Sequence, residues 1–181
     1  FQISQTQVIK GAWMVGGNGS FEKSDQTNLA FDLKATTITF SPNVGYFLAD
    51  QFAVGARFEL DYEYLNYLNY ESKNTWVFAG PFVRYYFLDN ERIVNLFSEA
   101  GFQFHLHKYK ATASNGAYDS GSSNDIGSYS LSLGTAVFFN SSVAIEGALS
   151  YERVLPVGNN NRANNLGIKI GFQIHLEKLN D

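Results

Sequence analysis

From Gln51 to Leu65 the chain alternates without a break. Phe52, Val54, Ala56, Phe58, Leu60, Tyr62 and Tyr64 form one set; Ala53, Gly55, Arg57, Glu59, Asp61 and Glu63 form the other. A period of two sends successive side chains to opposite faces of a β-strand. At about a dozen residues this strand exceeds the 5–6 usual in soluble sheets. The pattern recurs along the whole chain and predicts eight strands, at about 8–21, 33–48, 51–65, 75–87, 93–109, 125–139, 143–155 and 165–177. In each, an apolar set opposes a polar one: Leu131 and Leu133 against Ser130 and Ser132, or Ile168, Ile170 and Phe172 against Lys169 and Gln173. No stretch carries a helical period.

The connections sort by length. Tight turns fall at "LADQ", "LDNER" and "NSS", and longer polar stretches at 22–32, 65–74, 110–124 and 156–164. A water-soluble meander has no reason to alternate its loops in this way, whereas a transmembrane barrel has short periplasmic turns and long outer loops. The longest stretch, "ATASNGAYDSGSSND", reads as a mobile loop from its Gly, Ser and Asn content.

Small residues decide which face lies inside. Gly16, Gly45, Gly55, Gly80, Gly101, Gly134, Ala148 and Gly171 all fall in the polar sets. Eight strands close around an interior just wide enough for side chains, so small residues there make room for large neighbours such as Phe82 and Tyr86. The polar face is then the concave one. It is expected to hold a mixed-sign network of Arg57, Glu59, Asp61, Arg84, Glu99, Glu146, Glu152 and Lys169, since buried charges persist when paired. The outward face carries the aromatics Trp13, Phe40, Tyr46, Phe58, Tyr62, Tyr85, Phe102, Phe104, Tyr129, Tyr151 and Phe172, and almost no charge along mid-strand. Water would not tolerate so large an apolar surface; lipid does, and a closed barrel leaves no backbone edge unpaired in it.

Composition narrows the partners. The net charge of −4 offers no basic footprint for nucleic acid, and the absence of Cys removes disulfides, thiolate metal sites and Cys nucleophiles. No apolar run is long enough for a transmembrane helix, which does not bear on a barrel. "FQISQTQVIK" lacks the features of a signal peptide, so an exported chain is expected to have lost one.

"FSPNVGYFLADQFAVGARFEL" followed by "AGPFVRYYF" resembles the small OmpX/OmpA-type outer-membrane barrels of Gram-negative bacteria, and its turn-flanking wording is similar to barrel domains common in Bacteroidota. The resemblance covers essentially the whole chain. It implies one domain over 1–181, an all-β, eight-stranded antiparallel up-and-down barrel with periplasmic termini, short periplasmic turns and longer extracellular loops. It also implies contact with membrane lipid and lipopolysaccharide, and association with other outer-membrane proteins. Such chains often end on an aromatic residue; here Phe172 is followed by "QIHLEKLND".

No motif specifies chemistry. His105 and His107 share a strand face, and a metal would need Glu63 or Glu152 as a third ligand; the reading preferred here is polar residues at the rim, with no metal and no cofactor. "GGNGS" has no Lys–Ser/Thr ending and is no phosphate loop. Glu59, Asp61, Glu99 and Glu146 offer a carboxylate pair for glycoside hydrolysis, but a salt-bridge network accounts for them better. Three functions stay open: a non-enzymatic structural or partner-binding barrel, which is favoured, a lipid A acylase or deacylase, and a soluble lipocalin-like carrier with the faces inverted.

Overall fold

The computed structural model describes residues 8–27, 32–67, 70–89, 92–113, 118–155 and 164–176. Eight strands follow one another around a closed barrel: β1 (Trp13–Thr27), β2 (Asp32–Ala49), β3 (Phe52–Tyr67), β4 (Tyr70–Tyr86), β5 (Val94–Ala113), β6 (Tyr118–Phe138), β7 (Val143–Leu155) and β8 (Asn164–Leu176). Each pairs antiparallel with the next, and β8 returns to β1. The side-chain alternation read from the sequence sets the faces: Leu133 is 65% exposed and its neighbour Ser132 only 7%.

The short turns are held by side chains. Asn140 Oδ1 accepts hydrogen bonds from the amides of Ser142 and Val143, each at 2.8 Å, which turns the chain back within three residues. Gln51, at φ 67°, closes the β2–β3 turn, and its side chain donates to the Leu88 carbonyl at 2.9 Å, joining two neighbouring turns.

Three expectations are corrected. The first strand was expected to begin near Val8, but it begins at Trp13. The amides and carbonyls just before it are taken by the turn end of the barrel: Gln51 N donates to Val8 O at 2.8 Å, and Gly11 N to Phe47 O at 2.9 Å. Val8 and Ala12 are thereby buried across that end. Second, the stretches 22–32, 65–74 and 110–124 were expected to be loops, yet β1 and β2 stay paired as far as Thr27 and Asp32. Likewise β3 and β4 stay paired as far as Tyr67 and Tyr70, and β5 and β6 as far as Thr112 and Tyr118. Strong pairing potential in both partner strands carries the ladder through polar sequence that has no apolar face to bury. Third, the mobile loop therefore loses Tyr118–Asp125 to β6, and residues 114–117 lie outside the described residues. Strands β4, β5 and β6 of 17, 20 and 21 residues far exceed the 9–11 that cross a bilayer, so these hairpins stand well clear of it.

The interior is layered along the barrel axis. At the short-turn end lies an apolar layer of Met14, Phe47, Phe82, Tyr86, Phe97 and Phe138. The sequence had assigned Phe47, Phe97 and Phe138 to neither face. Gly55 is what lets Phe82 lie flat against β3, since a Cβ there would fall 2.5 Å from the ring. Above this layer come the buried charges, then the polar mouth.

Two outcomes test this architecture. Amides of Lys108–Thr112 and Ser120–Ser122 should be protected in hydrogen exchange in proportion to their ladder bonds, whereas a loop would exchange at once. In folding into lipid vesicles, Leu133→Arg should cost about 2–4 kcal/mol, as for an arginine on the lipid face near mid-bilayer. Ser132→Arg, which points at carboxylates, should cost less; equal costs would place Leu133 outside the membrane.

Candidate functional site: the barrel interior

Four strands each contribute one charge to the middle layer. Arg57 (β3) donates to both oxygens of Glu99 (β5), at 2.6 and 3.0 Å. Arg84 (β4) donates to Glu99 through Nε and Nη2 at 3.0 and 2.8 Å, and through Nη1 to Glu146 (β7) at 2.7 Å. Tyr86 accepts from Arg84 at 3.1 Å and donates to Glu146 at 3.3 Å. All five side chains are buried. Two cations against two carboxylates make the layer neutral, and the forked guanidinium geometry lets one carboxylate serve two arginines. Phe97 lies under Arg84, its ring centroid 4.3 Å from Cζ, a cation–π contact in a desolvated place. Beside the layer is a cavity of ≈ 30 Å³, lined among others by Arg57, Lys169 and Gln173. Gln173 donates across it to Asn43 at 2.9 Å. This space suits about two water molecules.

The remaining charges of the expected network are not joined to these. Among the described residues, the ion pairs within 4 Å are Arg57–Glu99, Arg84–Glu99 and Arg84–Glu146. Glu59, Asp61, Glu152 and Lys169 sit higher, around the mouth, where Lys169 faces Glu59 and Asp61 without a direct contact. Lys169, Glu59 and Glu152 line a cavity of ≈ 380 Å³ there. Candidate glycosidase carboxylates Glu99 and Glu146 are tied up by Arg84.

His105 is not at the rim, as its spacing with His107 had suggested, but buried. Its Nε2 lies 2.9 Å from Ser128 Oγ, and Ser128 donates to Glu152 Oε1. The Phe78 ring meets the imidazole edge-on, 4.5 Å between centroids. A bulge makes this possible: between Gln103 and His105 the β5–β6 register slips by a residue, at Gly127 with φ 140°. A side chain there would strike the Gln103 carbonyl. Serine is the middle member of this chain and gives its proton to a carboxylate. Nucleophilic catalysis by the familiar arrangement needs imidazole in the middle, accepting from serine. The position of the His107 side chain is outside the described residues; by register it stands opposite Ser123. No group of three or more potential metal ligands is found among the described residues. Alternation alone marked Ser128 and Gln173 as inward; nothing in the sequence linked them to His105, Glu152 or Asn43.

On the outer wall, Trp13, Phe40, Phe58, Tyr62, Tyr85, Phe104 and Phe172 are exposed, and Tyr46, Phe102, Tyr129 and Tyr151 half-buried. Neighbours shelter the latter: Trp13 lies over Tyr46 and Phe104 over Phe102, each at 5.0 Å between centroids. Outward charges begin only past this band, at exposed Glu71, Lys73, Lys108 and Lys110. Closed ladder, apolar wall and charged interior together define a membrane-spanning β-barrel.

Solved structures agree on the fold. The outer-membrane protein OprG from Pseudomonas aeruginosa superposes with a TM-score of 0.58 at 12% identity, over 96% of this chain and 99% of that one. Neisserial surface protein A (NspA) gives 0.52 at 18% identity, over 91% and 99%. No protein-family model matches the chain, and no curated protein does. The architecture is that of the small outer-membrane barrels.

The charge layer makes a stability prediction. Glu99 accepts four hydrogen bonds from two arginines, Glu146 one from an arginine and one from a phenol. Removing one partner of a buried pair costs about 3–5 kcal/mol. Glu99→Gln should therefore destabilise by that amount in reversible urea unfolding from lipid vesicles, and Glu146→Gln by clearly less.

Proposed function

We propose that the chain is a non-enzymatic integral protein of the Gram-negative outer membrane. In this reading it acts as a structural or partner-binding barrel rather than a pore. The observation that carries this reading is the filled lumen: an apolar layer of Phe47, Tyr86, Phe97 and Phe138 beneath a neutral, ion-paired charge layer. Eight strands leave no room for a water channel through such a filling. The long β3–β4 and β5–β6 hairpins, carried beyond the lipid band, offer edges and charged faces to lipopolysaccharide, to soluble ligands or to other envelope proteins. The wording of 40–60 and 79–87 supports a place among barrel domains of the kind common in Bacteroidota. The Glu152–Ser128–His105 order supports the non-enzymatic reading over a lipid A acylase or deacylase, and the uncharged outer wall supports it over a soluble carrier.

Purified protein in planar bilayers should give no stable conductance steps of porin size. Reproducible steps would overturn the plugged reading. Retention of envelope proteins or lipopolysaccharide in mild detergent, lost when the β5–β6 hairpin is shortened, would identify the hairpin as the binding element.

A further inference from the structure

The barrel wall is not uniformly closed. Strand β1 pairs with β2 over its whole length, Trp13 to Thr27, but with β8 only from Trp13↔Leu176 to Asn18↔Gly171. Above that point β8 remains paired with β7, from Gly147↔Ile170 to Arg153↔Asn164. Among the described residues, then, Gly19–Thr27 of β1 and Asn164–Ile170 of β8 are facing edges without a shared ladder. The gap lies at the height of the lipid band, because Phe21, Leu166, Ile168 and Ile170 are exposed there; Ile168 is 79% exposed.

The ≈ 380 Å³ mouth cavity opens through this gap. Its walls include Lys169 and Gly167, from the inner face of β8, together with Ile168 and Ile170, from the outer face, and Asn18 and Gly19 across the gap. Residues of both faces lining one space means that the space passes through the wall. Unpaired backbone at membrane depth is tolerated where it lines a wet, polar cavity, and the far side supplies that: Thr39, Glu59, Ser150 and Glu152. The charge there is unbalanced. Lys169 faces Glu59 and Asp61, Glu152 lines the same cavity, and Asp61, although hydrogen-bonded with Thr39, keeps a buried Oδ1 without a partner.

We propose that this lateral opening is a binding site for a single-chain cationic amphiphile, its ammonium head against Glu59, Asp61 and Glu152 and its alkyl chain along Leu166, Ile168 and Ile170 in the lipid. The site goes beyond the plugged-barrel reading and does not require transport, since the layers below stay closed. An ammonium supplies the missing positive charge and a donor to Asp61 Oδ1. A phosphate carried next to it would meet the same carboxylates, so a net cationic head is preferred over a zwitterionic phospholipid.

The test uses the protein in maltoside micelles, whose head groups are uncharged, titrated with dodecylammonium while the backbone amide resonances of Glu152 and Lys169 are followed. Dodecyl sulfate and a single-chain phosphoethanolamine lipid are the comparison probes. The cationic probe should give saturable shifts at both amides, and the other two should not. The double variant Glu59→Gln/Asp61→Asn should weaken the cation by about tenfold, the loss expected for one charge-assisted contact. Gly167→Trp should abolish the shifts by filling the opening; nothing lies within 4 Å of a Cβ built at Gly167, so the barrel accommodates it. Equal shifts from all three probes, shifts confined to Ile168 and Ile170, or an affinity unchanged in both variants would overturn the proposal. Any of these results would leave the plugged barrel standing.

Discussion

Every backbone donor and acceptor at membrane depth needs a partner, and in this chain a ladder wrapped into a ring supplies nearly all of them. The cost of an unpaired amide in hydrocarbon is several kcal/mol, so the strand order has little freedom. Consecutive strands must be neighbours, and the last must find the first. Closure by eight strands sets the radius, and the radius sets what the interior can hold. From this follow the glycines under the large inward rings, the forked arginines reaching across the lumen, and the absence of room for a channel. Among the described residues the ladder between β1 and β8 ends early, beside the polar mouth of the lumen. The constraint and its exception point to the same place.

The interior separates two kinds of polar filling. In the middle layer each charge is desolvated and ion-paired. Such clusters contribute little net stability compared with an apolar filling, but they punish the loss of any one member. They also discriminate among registers, because a slip of a single residue would turn Arg84 or Glu99 into lipid. At the mouth the charges are spread and unequal in number.

The bulge at Gly127 shows how local backbone geometry reaches the interior. An extra residue in β6 shifts His105 relative to Ser128, which bonds both His105 and Glu152. The three side chains come from strands β5, β6 and β7; the slip lies between β5 and β6, while the β6–β7 ladder runs on without a break. Bulges of this kind twist and redirect a strand without ending it.

The sequence by itself determined that there are eight strands, that the apolar set of each looks outward and the polar set inward, and on which side the turns are short. Those properties are local: alternation needs only the neighbouring residues, and a turn needs only Asn140 or Gln51 and the residues beside it. The expectation that 65–74 and 110–124 are loops failed for the same reason, since composition reports whether a segment buries apolar surface, not whether its partner strand continues alongside. Alternation specifies a face but not a register. Which carboxylate Arg57 meets, 42 positions away in the chain, follows from the stagger and radius of the closed barrel. So do the layering of rings below charges, the burial of His105, the alignment of Ser128 with Glu152, and the early end of the β1–β8 ladder. Only the tertiary structure decided these, because each depends on side chains from three or more strands converging across a space whose dimensions no single strand contains.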